Sequence, residues 1–239
     1  YSVSSDGSID EPPLGDALSE AAGEAVPLPA WVAEARAEIE AWRTPQVADS
    51  GSAASAGFVD MDEAFVHVQD LLPDDAITTY GAGNFSGWAT RFLPTHGFPS
   101  ALGPRNGSMG FGLPAAVAAA LVHPERSVFC IAGDGDFLMN GQEMATAVQY
   151  GADITVVLND NSVYGTIRGH QDREYPGRAT ATALQNPDFA AMATAFGGLG
   201  IRVERTEDFR DAFERALEHK GLSLVHCITD PAVRGARLP

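Results

Sequence analysis

The sequence predicts an α/β protein: a doubly wound parallel sheet with helices on both faces. Three observations carry this. Two short, β-branched apolar runs, residues 127–132 and 154–158, are bounded by turn residues, as buried strands of a parallel sheet are. Between them, residues 137–150 carry helix formers with apolar side chains at helical spacing. The same alternation continues along the chain, giving five or six strands separated by helices, with no internal repeat.

Taken in order, residues 1–30 are rich in Ser, Gly, Asp, Glu and Pro and read as irregular, with one short helix at 16–22. Residues 31–42 form a surface helix packing through Trp31, Ile39 and Trp42, and residues 44–57 are a Ser/Ala/Gly linker. Residues 60–72 form an amphipathic helix capped by Asp60, with Phe65, Val68 and Leu72 on one face. A strand at 76–80 ends in a Gly-rich turn, Gly81 to Phe85, before a helix with Trp88 and Phe92. Residues 107–122 start loose and become an Ala-rich helix. Residues 164–178 read as a long polar loop of the kind that makes lids, in which His170, Arg168 and Arg173 either face solvent or line a pocket. Asn186-Pro187-Asp188 starts a helix to Phe196. A strand at 200–203, an amphipathic helix at 206–219 and a last strand at 222–228 follow, and a basic tail closes the chain.

Composition narrows the function. The net charge of −17, from 15 basic and 32 acidic residues, argues against nucleic acid or an anionic membrane as a partner. Cys130 and Cys227 each sit inside an apolar strand-like run and read as small buried hydrophobes. No signal peptide or apolar run of transmembrane length is evident, so a cytoplasmic protein is expected. The chain opens on Tyr1, which suggests processing or an untraced beginning.

The chemistry concentrates at Gly133-Asp134-Gly135 and Asn159-Asp160-Asn161, at the carboxyl ends of neighbouring strands, where open α/β sheets bind ligands. Asp134 offers a carboxylate oxygen and Asn161 an amide oxygen, and backbone carbonyls just beyond Asn161 add another. All-oxygen ligation suits Mg²⁺ or Ca²⁺ rather than Zn²⁺. Gly133 and Gly135 let N–H groups approach a phosphate closely. The natural ligand is a diphosphate bridged by one divalent ion. A plain turn pair is the alternative.

These two turns, with 27 positions from Asp134 to Asn161, resemble the thiamin-diphosphate fingerprint. Gly107-Ser-Met-Gly-Phe-Gly-Leu-Pro-Ala-Ala116 resembles the segment that holds the aminopyrimidine and thiazolium in enzymes of the acetolactate synthase type, and Tyr164-Gly165 also fits. The resemblance covers residues 58–239 and implies a thiamin-diphosphate-binding fold there, with residues 1–57 the tail of a preceding domain plus a linker. It implies thiamin diphosphate as cofactor with Mg²⁺, or Ca²⁺ or Mn²⁺, held by Asp134, Asn161 and the Val163 carbonyl. The implied cofactor contacts are Gly83, Asn84, Phe85, Gly107, Met109, Gly133, Asp134, Gly135, Asp136, Asn161, Val163, Tyr164 and Gly165. Of these, Gly107 and Met109 carry the catalytic roles: Met109 bends the cofactor and the Gly107 carbonyl receives its amino group. Some relatives place Gln-His where this chain has Asn84-Phe85, so a His-to-phosphate contact is lost.

The implied reaction is decarboxylation of a small 2-oxo acid followed by carboligation. A simple decarboxylase or a non-catalytic cofactor-binding subunit are the alternatives. The activating Glu of the family lies on a pyrimidine-binding domain that these residues do not contain, and Glu143 is a structural carboxylate. A companion chain or an upstream segment is therefore expected to supply that domain, in a homo-dimer or tetramer; whether a flavin is present is left open. A phosphohydrolase using Asp134 as nucleophile would need a nearby Lys, and Lys220 is far along the chain.

Overall fold

The computed structural model describes residues 2–3, 9–10, 30–45, 57–93 and 95–236, in two units, Tyr1–Glu40 and Ala41–Pro239. The first holds an antiparallel pair, Ser2–Val3 with Ile9–Asp10, and most of helix α1 (Ala30–Arg43). The helix forms as expected. Trp31, Ile39 and Trp42 share one face and are 67, 48 and 43% exposed. Trp42 meets the Arg91 guanidinium, 4.9 Å from its ring centroid. The expected helix at 16–22 and residues 46–56 of the expected linker lie outside the described residues.

In the second unit the elements follow the predicted alternation. They are α2 (Met61–Leu71), β1 (Ile77–Tyr80), α3 (Ser86–Phe92), β2 (Ala101–Leu102), α4 (Gly112–Val122) and β3 (Val128–Gly133). Next come α5 (Asp134–Asn140), α6 (Met144–Tyr150), β4 (Ile154–Asp160), α7 (Gly165–Glu174) and α8 (Phe189–Phe196). The last three are β5 (Leu199–Val203), α9 (Phe209–Glu218) and β6 (Leu222–Ile228). The six strands lie parallel in the order β2-β1-β3-β4-β6-β5. The chain runs from β1 outward to β2 and returns across β1 to β3, so a topological switch point lies between β1 and β3.

Alternation along the strands builds two cores. From β3, Phe129 and Ile131 join Phe65, Val68, Trp88, Phe92, Phe209 and Phe213 on the face covered by α2, α3 and α9. Val128, Cys130 and Ala132 point the other way, to Leu113, Phe137, Met144 and Phe189 beneath α4, α5, α6 and α8. A sheet buried on both faces is why its central strands read as continuous apolar runs. Both cysteines are buried and unpaired.

Helix starts follow their caps. Asp60 accepts from the N–H groups of Asp62 and Glu63, at 3.0 and 3.5 Å. Asp188 accepts from Ala191 N at 2.9 Å.

Two expectations are corrected. The Gly-Asp-Gly turn is the first turn of α5, which begins at Asp134 and passes through a 3₁₀ turn (Gly141–Glu143) into α6. Placing acidic residues in a first turn favours helix there. The polar segment expected as a loop is largely α7, which has no buried side chain. An Arg168–Asp172 pair one turn apart (3.0 Å) and Arg234 from the tail (2.6 Å to Asp172) hold it instead. No helix among the described residues is long and apolar enough to cross a membrane.

Candidate functional site

A cleft opens at the carboxyl ends of β1, β3 and β4, on the switch point. It is lined by residues 82–85 after β1, Met109 ahead of α4, residues 133–136 at the end of β3, Asn159 at the end of β4, and residues 161 and 163–167 beyond it. Sheet register brings the turns together, because Gly133 pairs with Asn159 and Asp160 with Ile228. Of the cofactor contacts that the resemblance implies, Gly107 alone does not line the cleft. It is exposed, with φ +71°, in the loop leading to Met109.

Asp134 and Asp136 sit two positions apart in the first turn of α5 but do different work. Asp136 accepts from Gly110 N at 2.8 Å and Ala82 N at 3.0 Å, tying the two Gly-rich loops together. Gly81 permits this approach, since a Cβ there would lie 2.1 Å from Asp136 Oδ1. Asp134 accepts from Gly135 N and from Asn186 Nδ2, both at 2.8 Å. Burial pushes both carboxyls up to about 6, outweighing these hydrogen bonds. No cationic side chain pairs with Asp134 to offset that burial among the described contacts.

Asp160 is a saturated structural carboxylate. Its Oδ1 accepts from Asn186 Nδ2 at 2.7 Å and from Ser162 N and Oγ at 3.0 Å, and its Oδ2 meets buried His226 Nε2 at 2.9 Å. Burial raises its pKa, but the bonds from His226, Asn186 and Ser162 prevail and hold it below the ordinary range. This anchoring sets the loop beyond β4. Ser162 takes φ +54°, a left-handed conformation that a non-glycine residue adopts at a cost, and the two bonds to Asp160 hold it there.

The bend has a chemical consequence. Asn161 Oδ1 accepts from Val163 N at 3.2 Å, closing an Asx turn. Ser162 O and Thr182 O accept from Leu184 and Tyr164, while no described hydrogen bond takes the Val163 carbonyl. No group of three or more His, Cys, Asp or Glu among the described residues could hold a metal. The donors present are one carboxylate, one amide oxygen and one unclaimed carbonyl, a hard-oxygen set that fits Mg²⁺ or Ca²⁺.

The remaining polar wall suits an anion. The first turn of α7 has no side-chain cap and lines the cleft, leaving its N–H groups unused. Asn84 Oδ1 accepts from Thr166 Oγ1 at 3.0 Å. Arg234 is the one basic side chain lining the cleft among the described residues; its Nε is buried without a partner.

Other candidates fall elsewhere. His170 does not line the cleft and pairs with Arg173 at 2.7 Å. Glu143 accepts from Thr146 at 2.7 Å, as a structural carboxylate does. Lys220 pairs with Asp153 and lies outside the cleft, so the lysine of a phosphohydrolase is missing. Sequence reasoning passed over Asn186, His226 and Arg234. Each is far in sequence from the residues it meets, and none belongs to a recognisable local pattern.

Comparison with known proteins agrees with this geometry. Residues 81–227 match the family model of the thiamine pyrophosphate enzyme, C-terminal TPP binding domain. Over 155 residues the chain is 39% identical to the acetolactate synthase large subunit of Parasynechococcus marenigrum, a match covering 63% of this chain and 25% of that one. It is 36% identical to the acetolactate synthase isozyme 2 large subunit of Escherichia coli, covering 68% and 30%. Among solved structures, the thiamine diphosphate-dependent 4-hydroxybenzoylformate decarboxylase of Rhodococcus jostii superposes with a TM-score of 0.67 at 30% identity, covering 78% of this chain and 36% of that one. The chain thus spans about a quarter to a third of the length of these relatives. With the fingerprint turns meeting in one cleft and the family model spanning them, the chain belongs to the thiamine pyrophosphate enzymes, whose C-terminal TPP-binding domain it carries.

Proposed function

We propose that the chain supplies the diphosphate and metal half of the active site of an acetolactate-synthase-like enzyme that decarboxylates a 2-oxo acid and joins the product to a second carbonyl compound. The observation that carries this is the convergence of Asp134, Asn161 Oδ1 and the unclaimed Val163 carbonyl on one cleft. These three would hold Mg²⁺. Gly83, Asn84, Phe85, Gly133, Gly135, Tyr164 and Gly165, with the first turn of α7, would hold the diphosphate. Met109, which lines the same cleft ahead of α4, would support the bent cofactor, and Gly107 would present its carbonyl from the loop leading to it.

Thiamin diphosphate, when bound, supplies a nucleophilic carbon and an electron sink for loss of CO₂. The chain's own part is positioning. Asp136 fixes the Met109 loop against the β1 turn, and the β4 loop fixes the metal oxygens. Asp134 and Asp136 are the carboxylates lining the cleft among the described residues, and both are engaged at the diphosphate end. The carboxylate that activates the aminopyrimidine is assigned to a pyrimidine-binding domain on a companion chain or another segment, within a dimer or tetramer.

The structural likeness to a decarboxylase favours a second reading, a simple 2-oxo acid decarboxylase. Incubation of the protein in its native assembly with pyruvate, thiamin diphosphate and Mg²⁺ separates them. A 2-hydroxy-2-methyl-3-oxo acid as product supports the carboligase, and free aldehyde with CO₂ supports the decarboxylase. Cofactor binding without turnover of any 2-oxo acid would leave a binding subunit and overturn both.

A further inference from the structure

The turn ahead of α8 reaches into the site from 52 positions away. Asn186 places one amide nitrogen between two carboxylates, 2.8 Å from Asp134 Oδ2 and 2.7 Å from Asp160 Oδ1. Both neighbours are acceptors, so only the NH₂ end of the amide can face them, and the orientation follows from chemistry. The Asn186 Oδ1 is left buried with no partner among the described residues.

We infer that Asn186 is the positioning residue of the metal-binding carboxylate. This rests on the reading of Asp134 as a metal ligand. With Gly135 N on one oxygen and Asn186 on the other, the Asp134 carboxyl is fixed in plane while each oxygen keeps a lone pair for a cation. The clamp is itself anchored, because Asp160 is held by His226 on the inner strand β6. It also separates two carboxylates that would otherwise repel across a buried gap. The unpartnered Oδ1 is an acceptor left for a donor that the described residues do not supply. The hydration shell that Mg²⁺ keeps provides donors of that class. Outer partners of this kind orient a ligand and tune its affinity.

The test is Mn²⁺ binding, read by the electron paramagnetic resonance of free ion, in the native assembly with thiamin diphosphate present. Asn186→Ala and Asn186→Ser are expected to raise the Mn²⁺ Kd about 10- to 100-fold. Asp60→Ala serves as control. It removes the cap of α2, which packs on the other face of the sheet from α8, and is expected to lower the metal-free melting temperature while leaving the Mn²⁺ Kd within about twofold. An Asn186 variant that melts like the control yet binds Mn²⁺ like wild type overturns the inference alone. Equal weakening by Asp60→Ala and the Asn186 variants makes the loss a consequence of lower stability and also overturns it. If wild type fails to bind Mn²⁺, the metal reading of Asp134 falls first and the inference falls with it.

Discussion

Among the described residues Asp134 is buried without a cationic partner, which is the condition a cation relieves. Removing a buried, charged partner costs about 2–5 kcal/mol, so Asp134→Ala is expected to weaken Mg²⁺-dependent thiamin diphosphate binding by on the order of 100-fold. Titration calorimetry of the native assembly checks this. Arg234 lines the same cleft as Phe85. Arg168 and Arg234 share the single carboxylate of Asp172, so the trio retains one positive charge. Arg234→Ala is expected to weaken binding of the diphosphate about 10-fold, with a smaller loss for Arg234→Lys. Unchanged affinity would make Arg234 only the fastener of α7.

The two thiols give a pH prediction. Burial pushes Cys130 up to about 12, with Thr79 opposing, and burial raises Cys227 as well. The unfolded chain releases these protons near pH 9 and the folded chain does not, so the unfolded state binds fewer protons above that pH. Stability is therefore whole below about pH 9 and falls above it, by about 1.4 kcal/mol per pH unit for each thiol. Urea unfolding at pH 8 and pH 10 should show the loss, and Cys130→Ala with Cys227→Ala should flatten it.

At the scale of elements, caps and stripes decide what is legible. The α2 stripe of Phe65 and Val68, closed by Asp60, announces a helix, and it is one. Asp60→Ala is expected to cost about 1 kcal/mol, lowering the melting temperature by roughly 2–4 °C, as calorimetry would show. In contrast, α7 has no apolar stripe, and it contains Gly169 and β-branched Thr166 and Ile167. Its helicity rests on the ion pairs of Asp172, one of which comes from position 234, where no local window reaches. The start of α5 was similarly hidden, because Gly-Asp-Gly reads as a turn by composition and becomes helix through its place after β3.

For the whole molecule, Phe129 is the keystone of one core. Its ring lies 6.3 Å from Phe65 and 5.9 Å from Phe213, both edge-on, so it joins α2 to α9 across the sheet face. Phe129→Ala is expected to cost about 3–5 kcal/mol. Denaturant midpoints measure it, and a loss below about 1 kcal/mol would contradict the packing.

Residue pattern alone determined the alternation of strands and helices, the parallel doubly wound sheet and the two turns that carry the chemistry. Those features follow from local physics: β-branched runs, helical spacing, and oxygen donors at strand ends. Tertiary structure decided which carboxylate does what. Asp134, Asp136 and Asp160 look alike in sequence, yet one is left for a cation, one ties two loops and one is saturated by Ser162, Asn186 and His226. The same is true of the left-handed Ser162 that frees the Val163 carbonyl and of Arg234 on the cleft wall. A side chain's charge state and its ligand capacity depend on what surrounds it, and those neighbours come from strands and turns that only the folded sheet brings together.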